Sequence, residues 1–460
     1  MNKEQALLKG PISKTYISYL IPTIISMITN SVYCVVDVMF VGVCVGSEAL
    51  AAFNIAMPIF TLFSCIGLML GIGGATTISV LIGQGDKTNV NKVFSFSVYA
   101  SILSGAIISI FSLCFPELCA RLLGAPTDLV PLVVEYLRPL QIIAPLYVLN
   151  NTLQVIIRAD FNPKLVMVAA ISANLANIFF DWLFVSVLGY GLAGASTATA
   201  IGPCLAVFIL SFHYICKKNT MHFKLKCIDK NLIKRILQNG MGSFILEFTS
   251  GAVVFMFNIV LLKVSGHSAV AVYAIVSNVA YLGKGIFNGI SQAAQPLISV
   301  NYGAQNMDRM KHSLKVASIT SMIFSLGLYA LILIFPSQII GMFIGDSPEL
   351  LPMGIKASQL YFTSFVFTGI NTVLMYYFQS AESLKITTLI ALSRGFIFVV
   401  IGILIFPALI GEAGVWITIT FAEIITFIII LPIKSKFDRL LRQRFNLSHE
   451  IDDAKAHEHA

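Results

Sequence analysis

The chain has 460 residues, 57% hydrophobic and only 11% charged, with a mean hydropathy of +0.86. A soluble domain carries about 25% charged residues, so this composition excludes a water-soluble globular protein and specifies an integral membrane protein. The net charge of +8 does not call for nucleic acid. Lys and Arg collect in loops on one side of a membrane, and no nucleic-acid partner is expected. The eight cysteines (Cys34, Cys44, Cys65, Cys114, Cys119, Cys204, Cys216, Cys227) are scattered without a CxxC. They read as packing residues and imply neither a disulfide framework nor a metal site.

The start, MNKEQALLKGPISKTY, reads as a short basic amphipathic lead-in. No cleavable signal segment is expected before the first span. Apolar stretches at 15–43, 50–84, 92–115, 130–157, 165–187, 192–215, 235–263, 269–302, 312–335, 351–378, 386–407 and 412–433 predict about twelve transmembrane helices. The second and eighth exceed what a bilayer needs, so tilt, bending or extension is expected. Basic residues fill every second gap: Lys3, Lys9 and Lys14; Lys87 and Lys92; Arg158 and Lys164; a run from Lys217 to Arg235 that includes Lys226; Arg309, Lys311 and Lys315; Lys385; then Lys434 to Arg444. The alternate gaps are nearly bare. Both termini are therefore predicted to be cytoplasmic, in a multi-pass protein of the plasma (inner) membrane.

A repeat runs at an offset of about 220 residues. SVLIGQGDKTNV (79–90) matches SVNYGAQNMDRM (299–310), and Phe115-Pro116 matches Phe335-Pro336. Asn150 and Lys164 match Asn371 and Lys385, and GYGLAGASTATA (189–200) matches LIGEAGVWITIT (409–420). The expected fold is all-α and polytopic, with two pseudo-symmetric six-helix lobes at 1–215 and 235–435, a basic linker at 216–234 and a polar tail at 436–460. Six spans per repeat give both lobes one orientation and a path between them. That suits a transporter.

Ile17–Val45 is the first span and carries one carboxylate, Asp37. An acid inside a span costs roughly 2.5–3.5 kcal/mol to insert and is functional by default. Tyr33 and Asp37 lie one turn apart on one helix face, as do Asn177 and Asp181 on the fifth helix, with Asn174 a turn further back. Two acids at equal depth suit a shared proton or, with amide oxygens, a hard cation such as Na+ held by Asp37, Asn177 and Asp181. The competing reading has each Asp reaching the outer interface or capping a neighbouring helix. Glu247 lies within the seventh span, where either a substrate role or an ion pair with Lys284 or Arg394 fits. Lys284 itself is compatible with the cavity, an ion pair or cytoplasmic water, and Glu423 reads as a structural partner. Small and polar runs, GIGGATTISVLIGQG and GIFNGISQAAQPLISVNYG, allow close helix approach in lipid. No GK[ST], HExxH or GxSxG appears, so neither ATP hydrolysis nor enzyme chemistry is expected.

YCVVDVMFVG (33–42), LNNTLQVIIRADFNPK (149–164), SANLANIFFDWLFV (172–185), GYGLAGASTATA (189–200), GSFILE (242–247) and SQAAQPLISVNYGAQN (291–306), in this order on twelve spans, resemble the multidrug and toxic compound extrusion (MATE) transporters. The resemblance implies a V-shaped pair of lobes that export organic cations and amphipathic drugs against Na+ or H+, with no further cofactor. It carries the family's amino-lobe ion site onto Tyr33, Asp37, Asn177 and Asp181, with Gln154 and Thr199 as further polar members. Gln154 stands where some relatives have Asn. Glu247 matches a seventh-helix acid, and a tenth-helix Asp of some members is missing from SFVFTGINTVLMYY. The expected function is a monomeric multidrug efflux antiporter with its ion site in the amino lobe. The alternative is a flippase for lipid-linked oligosaccharide precursors, which needs cavity cations such as Lys284 or Arg394.

Overall fold

The computed structural model describes residues 3–224, 229–344 and 349–458. Lys226 and Cys227 of the linker lie outside the described residues, as do 459–460 of the tail. The first half consists of α1 (Lys3–Lys9), α2 (Ile12–Phe40), α3 (Ser47–Gln84), α4 (Lys87–Cys114), α5 (Pro116–Leu122), α6 (Val130–Ala159), α7 (Pro163–Asp181) and α8 (Gly191–Ile215). The second consists of α9 (Lys230–Gly303), α10 (Met307–Ile334), α11 (Pro336–Ile344), α12 (Leu350–Tyr361), α13 (Phe365–Ser380), α14 (Leu384–Leu392), α15 (Phe398–Ile410) and α16 (Glu412–Glu458).

A straight helix of 74 residues would be about 110 Å long, several bilayers thick. Instead α9 turns at Gly266, whose φ of 78° only glycine adopts at no cost, and forms two spans. The tenth span is not the single helix expected over 351–378. A 3₁₀ turn, Phe362–Ser364, splits it into α12 and α13. Counted this way, the described residues contain twelve membrane-crossing segments. Apolar side chains such as Leu103, Ile107, Leu404 and Leu409 stand exposed around them, as lipid-facing residues must. The protein is an all-helical, multi-pass membrane protein.

The backbone repeats as the sequence does. Gly46 and Gly266, Gly85 and Gln305, Phe161 and Glu382, and Gly191 and Gly411 all have positive φ, each pair about 220 residues apart. Asp86 and Asn306 cap their helices by accepting from the backbone N–H three residues on. Phe115 and Phe335 break two spans with similar non-helical backbone angles, φ −130° and ψ 57° against φ −122° and ψ 43°, and Pro116 and Pro336 then open short helices.

The halves meet along α3 and α9, the two small-residue segments. A side-chain carbon on Gly83 would lie 2.1 Å from the Val300 carbonyl oxygen, and one on Gly240 would lie 2.0 Å from that of Met69. Polar bridges continue the seam: Gln295 Nε2 donates to Thr76 Oγ1 at 2.7 Å and Asn239 Nδ2 to Thr77 Oγ1 at 3.0 Å. Beside them Arg235 makes a forked ion pair with Glu382 at 2.6 and 2.8 Å. This seam lies toward the face that carries both chain ends. There Asn301 and Arg309 hold α1 by the Leu7 carbonyl, at 3.2 and 3.0 Å. On the same face the linker begins tied to the first half. Asp160 accepts from His213 Nε2 at 2.7 Å and from the Thr220 backbone and hydroxyl.

Backbone contact at Gly83 leaves no room for a methyl group. Gly83→Ala is expected to destabilise the purified protein by about 1–3 kcal/mol, read as a lower thermal midpoint in detergent. Gly251→Ala, where nothing lies within 4 Å, should leave the midpoint unchanged.

Candidate cation-coupling site

Asp37 sits near the end of α2 and Asp181 is the last residue of α7. These two helices pack together, and their carboxyl groups are neighbours with no hydrogen bond between them. Each acid precedes a wide π-helical turn, Val41–Val45 after α2 and Trp182–Val187 after α7. Such turns open the backbone and recur at functional sites. The two turns touch, with Cys44 Sγ 3.4 Å from Ser186 Oγ.

Asp181 is 0% and Asp37 5% exposed. No Lys, Arg or His pairs with either among the described residues. Asp37 Oδ1, both Asp181 oxygens and both side-chain polar atoms of Asn177 have no hydrogen-bond donor or acceptor from the protein. Two ionised carboxylates this deep cost several kcal/mol each unless a cation or proton neutralises them. The arrangement is thus built to take up positive charge. Asn177 and Asn174 are both buried on α7, and their amides suit either hydrogen bonding or a hard cation.

Thr199 is buried on α8 and donates to the Ala195 carbonyl at 3.0 Å. Tyr136 on α6 lies near Thr199 and both acids, and its buried hydroxyl has no hydrogen-bond partner. One tyrosine among fifteen carries no signal in the sequence. Its ring packs edge-on against Phe53 at 5.3 Å.

The structure does not bring Gln154 to the carboxyls. Its amide donates to Asn150 Oδ1 at 3.1 Å, one turn back on the same helix. Eighteen residues of α6 separate it from Tyr136, about 27 Å at the ideal rise. Nearer, Asn151 has a buried Nδ2 without a partner.

Tyr33 connects this site to a second region. It lies within electrostatic range of Asp37 on one side and of Tyr147 and Tyr281 on the other, and Glu247 lies within range of both tyrosines. Tyr281 is 48% exposed yet surrounded by residues of both halves, so it lines an internal space between them. Glu247 is half-buried there and forms no ion pair among the described residues. Lys284, one turn along from Tyr281, is exposed and also without an acid partner. Of the alternatives for Arg394, the structure selects Glu423, at 2.7 Å.

Arg158 was read as a loop cation and is not one. It lies in the last turn of α6, 2% exposed, and donates across the seam to Gln292 Oε1, with its Nε unpartnered. Gln292 in turn donates to Tyr376 Oη at 3.3 Å.

The MatE family model matches residues 22–183 and 241–405. The multidrug export protein MepA of Staphylococcus haemolyticus (strain JCSC1435) is 25% identical over 95% of this chain and 97% of its own. MepA of Staphylococcus aureus (strain MSSA476) is 25% identical over 90% of this chain and 92% of its own. A crystal structure of MATE in complex with MaL6 superposes with a TM-score of 0.91 at 24% identity, covering 96% of this chain and 100% of that one. The outward-facing conformation of a multidrug resistance MATE family transporter of the MOP superfamily gives 0.90 at 24% identity, covering 96% and 99%.

An unpaired pair of buried acids should trade stability for function. Asp37→Asn supplies an N–H donor to Asp181 and removes one potential charge. It is expected to stabilise the protein by about 1–2 kcal/mol, seen as a raised thermal midpoint relative to the unaltered chain.

Proposed function

The chain belongs to the MatE family, the multidrug and toxic compound extrusion transporters, a family of exporters rather than enzymes, and from that premise we propose that it is a secondary active multidrug efflux antiporter. Its substrates are amphipathic organic cations, and its coupling ion is H+ or Na+. The observation that carries this reading is the Asp37–Asp181 pair, buried across two helices with no cation of the protein's own.

Asp37, Asp181 and Asn177 bind the ion, with Tyr33 and Thr199 beside them and Tyr136 as a further member. Glu247, facing the internal space without a counter-ion, attracts the cationic drug, and Lys284 tunes the charge there. The family's twelve spans divide into lobes at 1–215 and 235–435, with the linker 216–234 and the tail 436–460 on the cytoplasmic side of the plasma membrane. One chain supplies both lobes, so a monomer suffices.

Uptake of an ion from outside neutralises the amino-lobe acids and lets α2 and α7 draw together around it. Tyr33 moves with α2 and reshapes the tyrosine wall against which the drug lies near Glu247. Drug leaves outward. The seam along α3 and α9 then opens on the cytoplasmic side, and incoming drug displaces the ion. Exchanging one H+ or Na+ for one monovalent drug cation moves no net charge, so the ion's concentration gradient drives export: a tenfold ion gradient supplies about 1.4 kcal/mol and holds a drug gradient of roughly tenfold.

The flippase alternative loses a requirement. A pyrophosphate carrier needs free cavity cations, and of the two candidates Arg394 already spends its charge on Glu423, which leaves Lys284 alone.

Ethidium efflux from proteoliposomes, with Na+ and pH gradients imposed separately, tests the proposal. Asp37→Asn and Asp181→Asn are each expected to abolish ion-driven efflux. Undiminished efflux in both would sink the coupling assignment. Glu247→Gln should weaken efflux of the cationic dye by roughly tenfold, the loss of about 1.4 kcal/mol of attraction, while ion binding persists.

A further inference from the structure

The two halves handle buried charge in opposite ways. In the second half Arg394 lies in the π-helical turn Ser393–Ile397, between α14 and α15. Its Nε and Nη2 donate to Glu423 Oε1 at 3.1 and 2.7 Å, and its Nη1 donates to Thr372 Oγ1 at 2.8 Å. Its Nη2 also reaches the Thr368 carbonyl at 3.3 Å. Asn371 Nδ2 donates to the other Glu423 oxygen at 2.7 Å and to the Glu423 carbonyl at 2.8 Å. Only Asn371 Oδ1 is left over. Arg394 is 9% and Glu423 4% exposed. The carboxylate is therefore fully served by protein donors, where Asp37 and Asp181 are served by none.

The position is as telling as the contacts. At the repeat offset of about 220 residues, α13 corresponds to α6, the α14–α15 pair to α7, and α16 to α8. Arg394 then falls on Ala173, beside Asn174 and one turn from Asn177. Glu423 falls on Pro203, one turn beyond Thr199. The described residues contain three π-helical turns: one follows Asp37 by a turn, one directly follows Asp181, and one contains Arg394.

We propose that Arg394 is a tethered cation that permanently neutralises Glu423 in the second half, about two turns from Gly402, the counterpart of Asp181, so that this pair exchanges no ion with solution while Asp37 and Asp181 do. The proposal rests on the coupling role given to those acids. A guanidinium does not deprotonate in proteins and binds carboxylate through a rigid fork. Held by partners on α13 and α16, it does not dissociate as a free ion does. The Arg394–Glu423 pair thus keeps constant charge through the cycle, and the amino-lobe acids carry the change.

The test counts Na+ and H+ bound per purified protein without drug, and the share that drug displaces. Arg394→Gln with Glu423→Gln, a neutral pair of similar shape, is expected to keep both counts at the wild-type value. Arg394→Gln alone strands Glu423 and should gain about one bound ion per chain, which the double variant loses again. A fall in displaced ion in the double variant, or no gain in the single one, would overturn the proposal. Should the double variant not fold, Arg394→Lys keeps the tether and should hold wild-type counts; a fall there overturns it equally. Asp37→Asn with Asp181→Asn separates the two readings. If displacement survives in that variant, the coupling assignment fails by itself. If it then vanishes only on adding the Arg394 and Glu423 changes, the tethered-cation proposal fails too.

Discussion

Charge buried in a low-dielectric interior must be neutralised, and this molecule is arranged around the two ways of doing so. Glu423 is neutralised by a guanidinium on the neighbouring helix, with every carboxylate oxygen engaged. Asp37 and Asp181 face each other with no cation from the protein. The first arrangement has one stable state. The second has at least two, because its charge depends on what arrives from solution. Helices α2 and α7 carry the variable pair, and both end in π-helical turns that loosen the backbone beside it.

The seam between α3 and α9 holds the two halves together by removing side chains rather than adding them. Lipid offers no hydrophobic drive to hold helices together, so close packing and polar bridges must do so. Gly83 and Gly240 let backbones touch, and Thr76, Thr77, Asn239 and Gln295 bridge what remains. Arg158 adds a buried guanidinium bonded to an amide instead of an acid. Such a bond is weaker than an ion pair, so the two halves are held but can part.

Much of this was legible in the residues. Twelve spans, the duplication and the seam followed from apolar length, matched motifs and small-residue runs, because each reflects a constraint acting along the chain itself. Asp37, Asn177 and Asp181 were legible because acids and amides inside spans are costly and hence rare. Tyr136 was not, because a tyrosine in a span is ordinary until its hydroxyl has a neighbour. Arg158 was misread because composition does not separate the last turn of a helix from the loop after it. The break at Phe362–Ser364 contains neither Gly nor Pro, so nothing local announced it.

Duplication explains why the fold holds two candidate sites, and the side chains explain why they differ. The shared backbone, with matched positive-φ residues and caps, brings three helices together in each half at nearly the same depth. That geometry concentrates polar groups wherever they occur. Were both halves to carry exchangeable acids, a single ion would leave the other site charged, and two would have to move together for each drug. On the proposed reading the Arg394–Glu423 pair removes that requirement at its own position, and the change of charge falls to the amino-half acids.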